Sequence, residues 1–133
     1  MRKLKCVMLI DDNPNDNFFH ERVIKKCNGA EVVVVMQTGE SALEYLRSAG
    51  LEAAPYPSLI FLDVNMPRMN GWEFLEAYER QDAVSRRNVT LVILSTSENP
   101  DDRAKAANMK ADFMTKPLTP AALEELIGRY PNL

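Results

Sequence analysis

Five short apolar runs, each followed by a stretch of helical periodicity, limit this chain to few architectures. The runs are residues 6–10, 32–36, 58–62, 89–94 and 111–114. The first four have the length and near-continuous apolar character of strands buried on both faces; the fifth is the briefest. Helix starts are marked by Asn13-Pro14, Thr38-Gly39, Asn99-Pro100 and Thr119-Pro120, and a third helix pattern opens at Trp72. The first helix carries Phe18, Phe19, Val23, Ile24 and Cys27, with Phe18-Phe19 read as core, and ends near Lys25-Lys26 with Gly29 beyond. Ala42, Leu43 and Leu46 face inward on the second, and Gly50 stops it. Trp72, Phe74, Leu75 and Tyr78 mark the third. The fourth is alanine-rich, with Asp101-Asp102 favouring its N-terminus. Leu123, Leu126, Ile127 and Tyr130 form one face of the fifth. Residues 51–57 and 81–88 read as connections. Strict strand–helix alternation predicts a doubly wound α/β fold, (βα)5, with a parallel sheet, right-handed crossovers and helices on both faces.

Composition narrows the function classes. The 133 residues suit one domain, 1–133, with a sizeable core. Apolar residues at 46% and charged residues at 26% argue against disorder. A net charge of −3 gives no reason to expect nucleic-acid or membrane binding. No apolar run approaches the ~20 residues of a membrane span, and the short basic start does not build a signal peptide. Cys6 and Cys27 sit in apolar patterns and read as buried free thiols of a reducing compartment, hence a cytoplasmic location.

The chemistry gathers at one edge. Asp11 and Asp12 end the first strand, Asp63 the third, Ser95 the fourth and Lys116 the fifth. In a parallel sheet these ends share the carboxyl edge, where ligands of open α/β sheets bind. Taken singly, an Asp-Asp pair is a helix-capping loop, an Asp before Pro67 and Gly71 a turn residue, and Lys116-Pro117 punctuation. Together they bring three carboxylates, a hydroxyl and an ammonium to one place. Clustered carboxylates call for a cation or a raised pKa. An all-oxygen donor set with no nearby histidine or cysteine suits Mg2+. An aspartate beside such an ion can attack phosphorus and form an acyl phosphate, with lysine and hydroxyl binding the other phosphoryl oxygens.

On Asp11-Asp12, the segment Asp63-Val64-Asn65-Met66-Pro67-Arg68-Met69-Asn70-Gly71, Ser95 and Lys116-Pro117, the chain resembles a response-regulator receiver domain of the CheY-like, stand-alone type. The resemblance covers nearly the whole chain. It implies a flavodoxin-like sheet in the order 2-1-3-4-5 and a signalling role in a two-component system. Asp63 is then the phosphoacceptor. Asp12 is a direct Mg2+ ligand, with Mn2+ as a substitute, and Asp11 a partner through water. The Asn65 carbonyl completes the protein's metal shell. Lys116 contacts the phosphoryl group, and its bond to Pro117 is typically cis. Ser95 is the switch hydroxyl and Phe113 the coupled aromatic, so the output face is helix 4, strand 5 and helix 5. Departures from the family pattern are Ser at the switch, Phe as the aromatic and Val64 after the phosphoacceptor. Asn65 and Ser97 occupy the positions that tune acyl-phosphate lifetime.

The implied partners are a sensor histidine kinase or histidine phosphotransfer protein and a downstream protein target. No output domain is expected within 1–133, since only Pro131, Asn132 and Leu133 follow Tyr130. A monomer or weak dimer is expected. The protein is expected to catalyse its own phosphorylation and dephosphorylation rather than act as a conventional enzyme. A phosphatase of the haloacid-dehalogenase type would need Asp-x-Asp-x-Thr at the first strand, where the acids here are adjacent. A phosphorylation-independent scaffold fits poorly with a complete acid–lysine set. His20, the sole histidine, reads as an ordinary helix residue rather than a phosphorelay site.

Overall fold

A computed structural model describes residues 1–49, 54–81, 88–131 and 133. The order is β1 (Leu4–Ile10), α1 (Pro14–Lys26), β2 (Ala30–Met36), α2 (Gly39–Ala49), β3 (Leu59–Leu62), α3 (Gly71–Glu79), β4 (Thr90–Ser95), α4 (Pro100–Asn108), β5 (Asp112–Thr115) and α5 (Pro120–Arg129). All pairings are parallel, and the sheet runs β2-β1-β3-β4-β5. The expected stop at Gly50 and residues 51–53 and 82–87 of the expected connections lie outside the described residues. Among the described residues, no helix is long and apolar enough to cross a membrane.

Strand alternation splits the core in two. Met8, Ile10, Ile60, Leu62 and Ile93 pack against Ala42, Leu46, Trp72, Phe74, Leu75 and Ala106, which belong to α2, α3 and α4. Val7, Leu9, Leu59, Phe61, Val92 and Leu94 pack against Ile24, Leu123, Leu126 and Ile127 of α1 and α5. Successive strand residues point to opposite faces, so a strand covered on both sides must be apolar throughout. β3 is buried at all four positions.

Helix starts follow the predicted chemistry. The Asn13 side chain accepts the N–H groups of Asn15 and Asp16, Asn99 that of Asp101, and Thr119 that of Ala122. Asn70 and Glu73 form a reciprocal capping box at α3. At the end of α1 the left-handed residue is Asn28 (φ 55°), one position before the predicted Gly29; asparagine tolerates this conformation through local hydrogen bonding.

Three expectations are corrected. β2 is a half-exposed edge strand, with Val32 38% exposed, because only β1 pairs with it. Phe18 and Phe19 are 61% and 48% exposed, not core. α1 instead buries Asn17, His20 and Ile24, three residues at helical spacing, and this rotation turns both phenylalanines outward. Cys6 is buried, and burial pushes its thiol up to about 11, whereas Cys27 is only half-buried; both are free thiols.

Candidate functional site

The sheet register assembles the site. The Asp63 N–H donates to the Ile10 carbonyl at 2.9 Å and the Lys116 N–H to the Ser95 carbonyl at 2.8 Å. These bonds continue the β1–β3 and β4–β5 ladders by one step, so residues far apart in sequence emerge at one edge. Asp11, Asp12 and Asp63 each offer a carboxylate oxygen within 4.8 Å of the others. Asp11 and Asp63 are buried at 5% and 8% exposure, and Asp12 is exposed. The Lys116 ammonium reaches Asp11 Oδ2 at 2.7 Å, Asp16 Oδ2 at 2.8 Å and Asp63 Oδ1 at 3.5 Å.

These distances explain the electrostatics. Burial and the charge of Asp11 push the Asp63 carboxyl up to about 6, and the Lys116 ammonium, 3.5 Å away, offsets this only in part. Burial works against the charged form of Lys116, but its hydrogen bonds to Asp11 and Asp16 and the charge of Asp63 outweigh it, and its pKa is raised. The ammonium is shared mainly by its two flanking acids, and the phosphoacceptor candidate gains least from it.

The loop after β3 is held tightly. The Met66 and Gly71 N–H groups both donate to the Val64 carbonyl, and Arg68 takes a left-handed conformation (φ 64°). A Cβ on Gly71 would lie 2.7 Å from the Asp63 carbonyl oxygen and 2.9 Å from Val64 Cα, so only glycine lets α3 start this close to Asp63. Asn65 lies exposed in this loop, two residues beyond Asp63.

Ser95 is fully buried, and its Oγ accepts the Ser97 N–H at 3.1 Å. Ser97 Oγ donates in turn to Asp102 Oδ2, so Asp102 caps the β4–α4 loop. Phe113 is half-buried beneath the Arg103 guanidinium, 4.7 Å from the ring centroid, and Arg103 also donates to Thr115 Oγ1 at 3.3 Å. The Lys116–Pro117 bond is cis.

Three site neighbours were not legible as such in the sequence. Asp16 grips Lys116 from the first turn of α1. Asn17 Nδ2 donates to the Asp11 carbonyl at 2.8 Å. His20 is 3% exposed and, with Asn17, Asp11 and Asp63, lines a cavity of about 10 Å3 behind the acids. Burial, then the charge of Lys116, lowers the His20 pKa. The signal was the spacing 13-16-17-20 from the cap, which places Asp16, Asn17 and His20 on the α1 face toward the strand ends.

A doubly wound sheet with three acids and a lysine at its carboxyl edge defines a receiver domain. The chain belongs to the response regulator receiver domain family, whose model matches residues 7–128. It is 30% identical over 99 residues to response regulator Rcp1 of Synechocystis, a match covering 74% of this chain and 66% of that protein. The chain spans about two thirds of that curated relative and smaller shares of several others. A two-component response regulator from Cytophaga hutchinsonii superposes with a TM-score of 0.89 at 31% identity, covering 99% of this chain and 100% of that one. The Mn(2+)-bound form of response regulator Rcp1 superposes with a TM-score of 0.71 at 26% identity, covering 93% and 90%. Receiver domains are signalling proteins rather than conventional enzymes; they bind divalent metal and take phosphoryl groups from histidine kinases. The donor set here, all carboxylate oxygen and short of positive charge, fits a hard divalent cation.

Proposed function

We propose that this chain is a phosphorylation-activated signalling receiver in which Asp63 accepts a phosphoryl group from a phosphohistidine. The observation that carries the reading is the Asp63 carboxylate lying beside both the acid pair and the Lys116 ammonium. One Asp63 carboxylate oxygen attacks phosphorus as the N–P bond breaks. The electron pair of that bond leaves with the donor imidazole, which takes up a proton. Asp63 is left as an acyl phosphate, and water later cleaves it to aspartate and inorganic phosphate.

Asp11, Asp12, Asp63 and the Asn65 carbonyl would hold Mg2+, or Mn2+ in its place. Bound there, the ion supplies the positive charge that lets a phosphoryl dianion approach three carboxylates. Lys116 binds a phosphoryl oxygen as a charge-assisted donor. The Ser95 hydroxyl turns from the Ser97 amide toward the phosphoryl group. The Phe113 ring then packs inward, reshaping the face formed by α4, β5 and α5.

The donor is a sensor histidine kinase or histidine phosphotransfer protein in the cytoplasm. The readout is a protein target bound through that face. The test is incubation with acetyl phosphate and Mg2+ followed by a phosphate-affinity gel. A retarded band is expected with the wild type and lost in Asp63→Asn and in excess chelator. A band that survives either change refutes the assignment.

A further inference from the structure

We propose that Asp16 is a positioning residue that competes with the phosphoryl group for Lys116, and so sets how tightly phosphorylated Asp63 is held. This rests on the receiver reading above. An ammonium has three N–H donors. In the structure two of them serve Asp11 and Asp16 at 2.7 and 2.8 Å, while Asp63 lies at 3.5 Å, beyond a good charge-assisted bond.

The two flanking acids are not equivalent. The Asp11 side chain is only 7% exposed, accepts the Asn13 N–H on its other oxygen at 2.9 Å, and belongs to the three-carboxylate cluster. Losing Lys116 would leave it buried among like charges. The Asp16 side chain is 38% exposed and has no other hydrogen bond among the described residues. It also lies in the first turn of α1, where the helix N-terminus favours a carboxylate. Water and the helix dipole take over when Lys116 leaves it, so Asp16 is the partner released at least cost. A phosphoryl oxygen first takes the third N–H of Lys116, and a second phosphoryl contact is made by exchanging the bond to Asp16. That exchange subtracts from the grip on the phosphoryl group. The charge of Asp16 also repels the incoming dianion from within the reach of one ammonium, so both effects have the same sign.

The opposite role would be a strut that holds Lys116 ready, and it predicts the opposite sign. Calorimetric titration of the full chain with beryllofluoride at saturating Mg2+ separates them. Asp16→Asn should bind beryllofluoride about two- to fivefold more tightly than the wild type, the scale of a partly exposed ion pair. Asp16→Glu keeps the charge and should remain close to the wild type. Asp16→Ser, a second neutral residue at home in a first helical turn, repeats the measurement should Asn impair folding. In the metal-free protein the Lys116 side-chain NMR signals should move in both neutral variants and much less in Asp16→Glu. Unchanged or weaker beryllofluoride binding by the neutral variants overturns the proposal. A wild type that binds no beryllofluoride overturns the receiver reading itself, whatever the variants do.

Discussion

Removing the charge of Asp63 is expected to stabilise the metal-free protein at neutral pH. The carboxyl has an ordinary value of 3.8 and is pushed up to about 6 by burial and by Asp11. Between those values the folded state holds a proton that the unfolded state has lost. Stability from this group is therefore fully present below the unfolded value and is lost as pH rises through the folded one. A carboxyl raised this far costs about 3 kcal/mol once both states are ionised, and the cost persists at pH 7. Because Asp63 is only 8% exposed, solvent screening does not erase it. Asparagine keeps the size and an oxygen for Lys116 but carries no charge. Asp63→Asn should thus gain about 2–3 kcal/mol at pH 7 and nothing at pH 3, where the native carboxyl is protonated anyway. The assay is urea unfolding in chelator at several pH values, read as the difference between the two proteins, so that other carboxylates cancel. That difference should open between about pH 4 and 6, and saturating Mg2+ should narrow it by stabilising the wild type. A difference that stays flat with pH, or has the opposite sign, refutes the electrostatic account of the site.

Two further outcomes follow from local geometry. Gly71→Ala places a methyl 2.7 Å from the Asp63 carbonyl oxygen. It should cost about 1–3 kcal/mol in denaturant unfolding and slow acetyl-phosphate labelling about tenfold through displacement of Asp63; wild-type values of both would show that the loop yields freely. Arg103→Ala removes the cation from the face of Phe113, an interaction of about 0.5–1 kcal/mol at an exposed site. If the ring moves inward on activation, beryllofluoride should bind this variant about two- to fivefold more tightly, and an unchanged affinity would detach Arg103 from the switch.

The fold was legible where burial is two-sided. β1, β3 and β4 are apolar and buried throughout residues 6–10, 59–62 and 91–94, so their runs end abruptly at Asp11, Asp63 and Ser95, and those ends form the candidate site. The same logic misread β2. Its valines resemble a central strand, but placement at the edge is decided by which strands pair, and composition does not record pairing. β5 was legible mainly by its neighbour Lys116. Its residues Asp112, Phe113, Met114 and Thr115 are half-buried or exposed and make no continuous apolar run, unlike the equally short β3, and its partner β4 supplies the register.

The first helix shows why part of the site stayed hidden. Its most apolar residues, Phe18 and Phe19, predict an inward face that the structure turns to solvent. The face it buries begins with Asn17 and His20 and becomes apolar only at Ile24. Near the carboxyl edge of the sheet α1 meets the Asp11 carbonyl and the acids around Lys116 as well as apolar core. A polar helical face can pair there, and Asn17 is held by a bond to the Asp11 carbonyl that no apolar side chain could make. Hydrophobic periodicity reports how a helix meets core. Where the helix meets charge, the same periodicity points away from the site, and the capping Asn13 is the better guide to its rotation. Asp16 follows from that rotation: three residues after the cap and one turn from the acid pair, it faces the lysine that serves them.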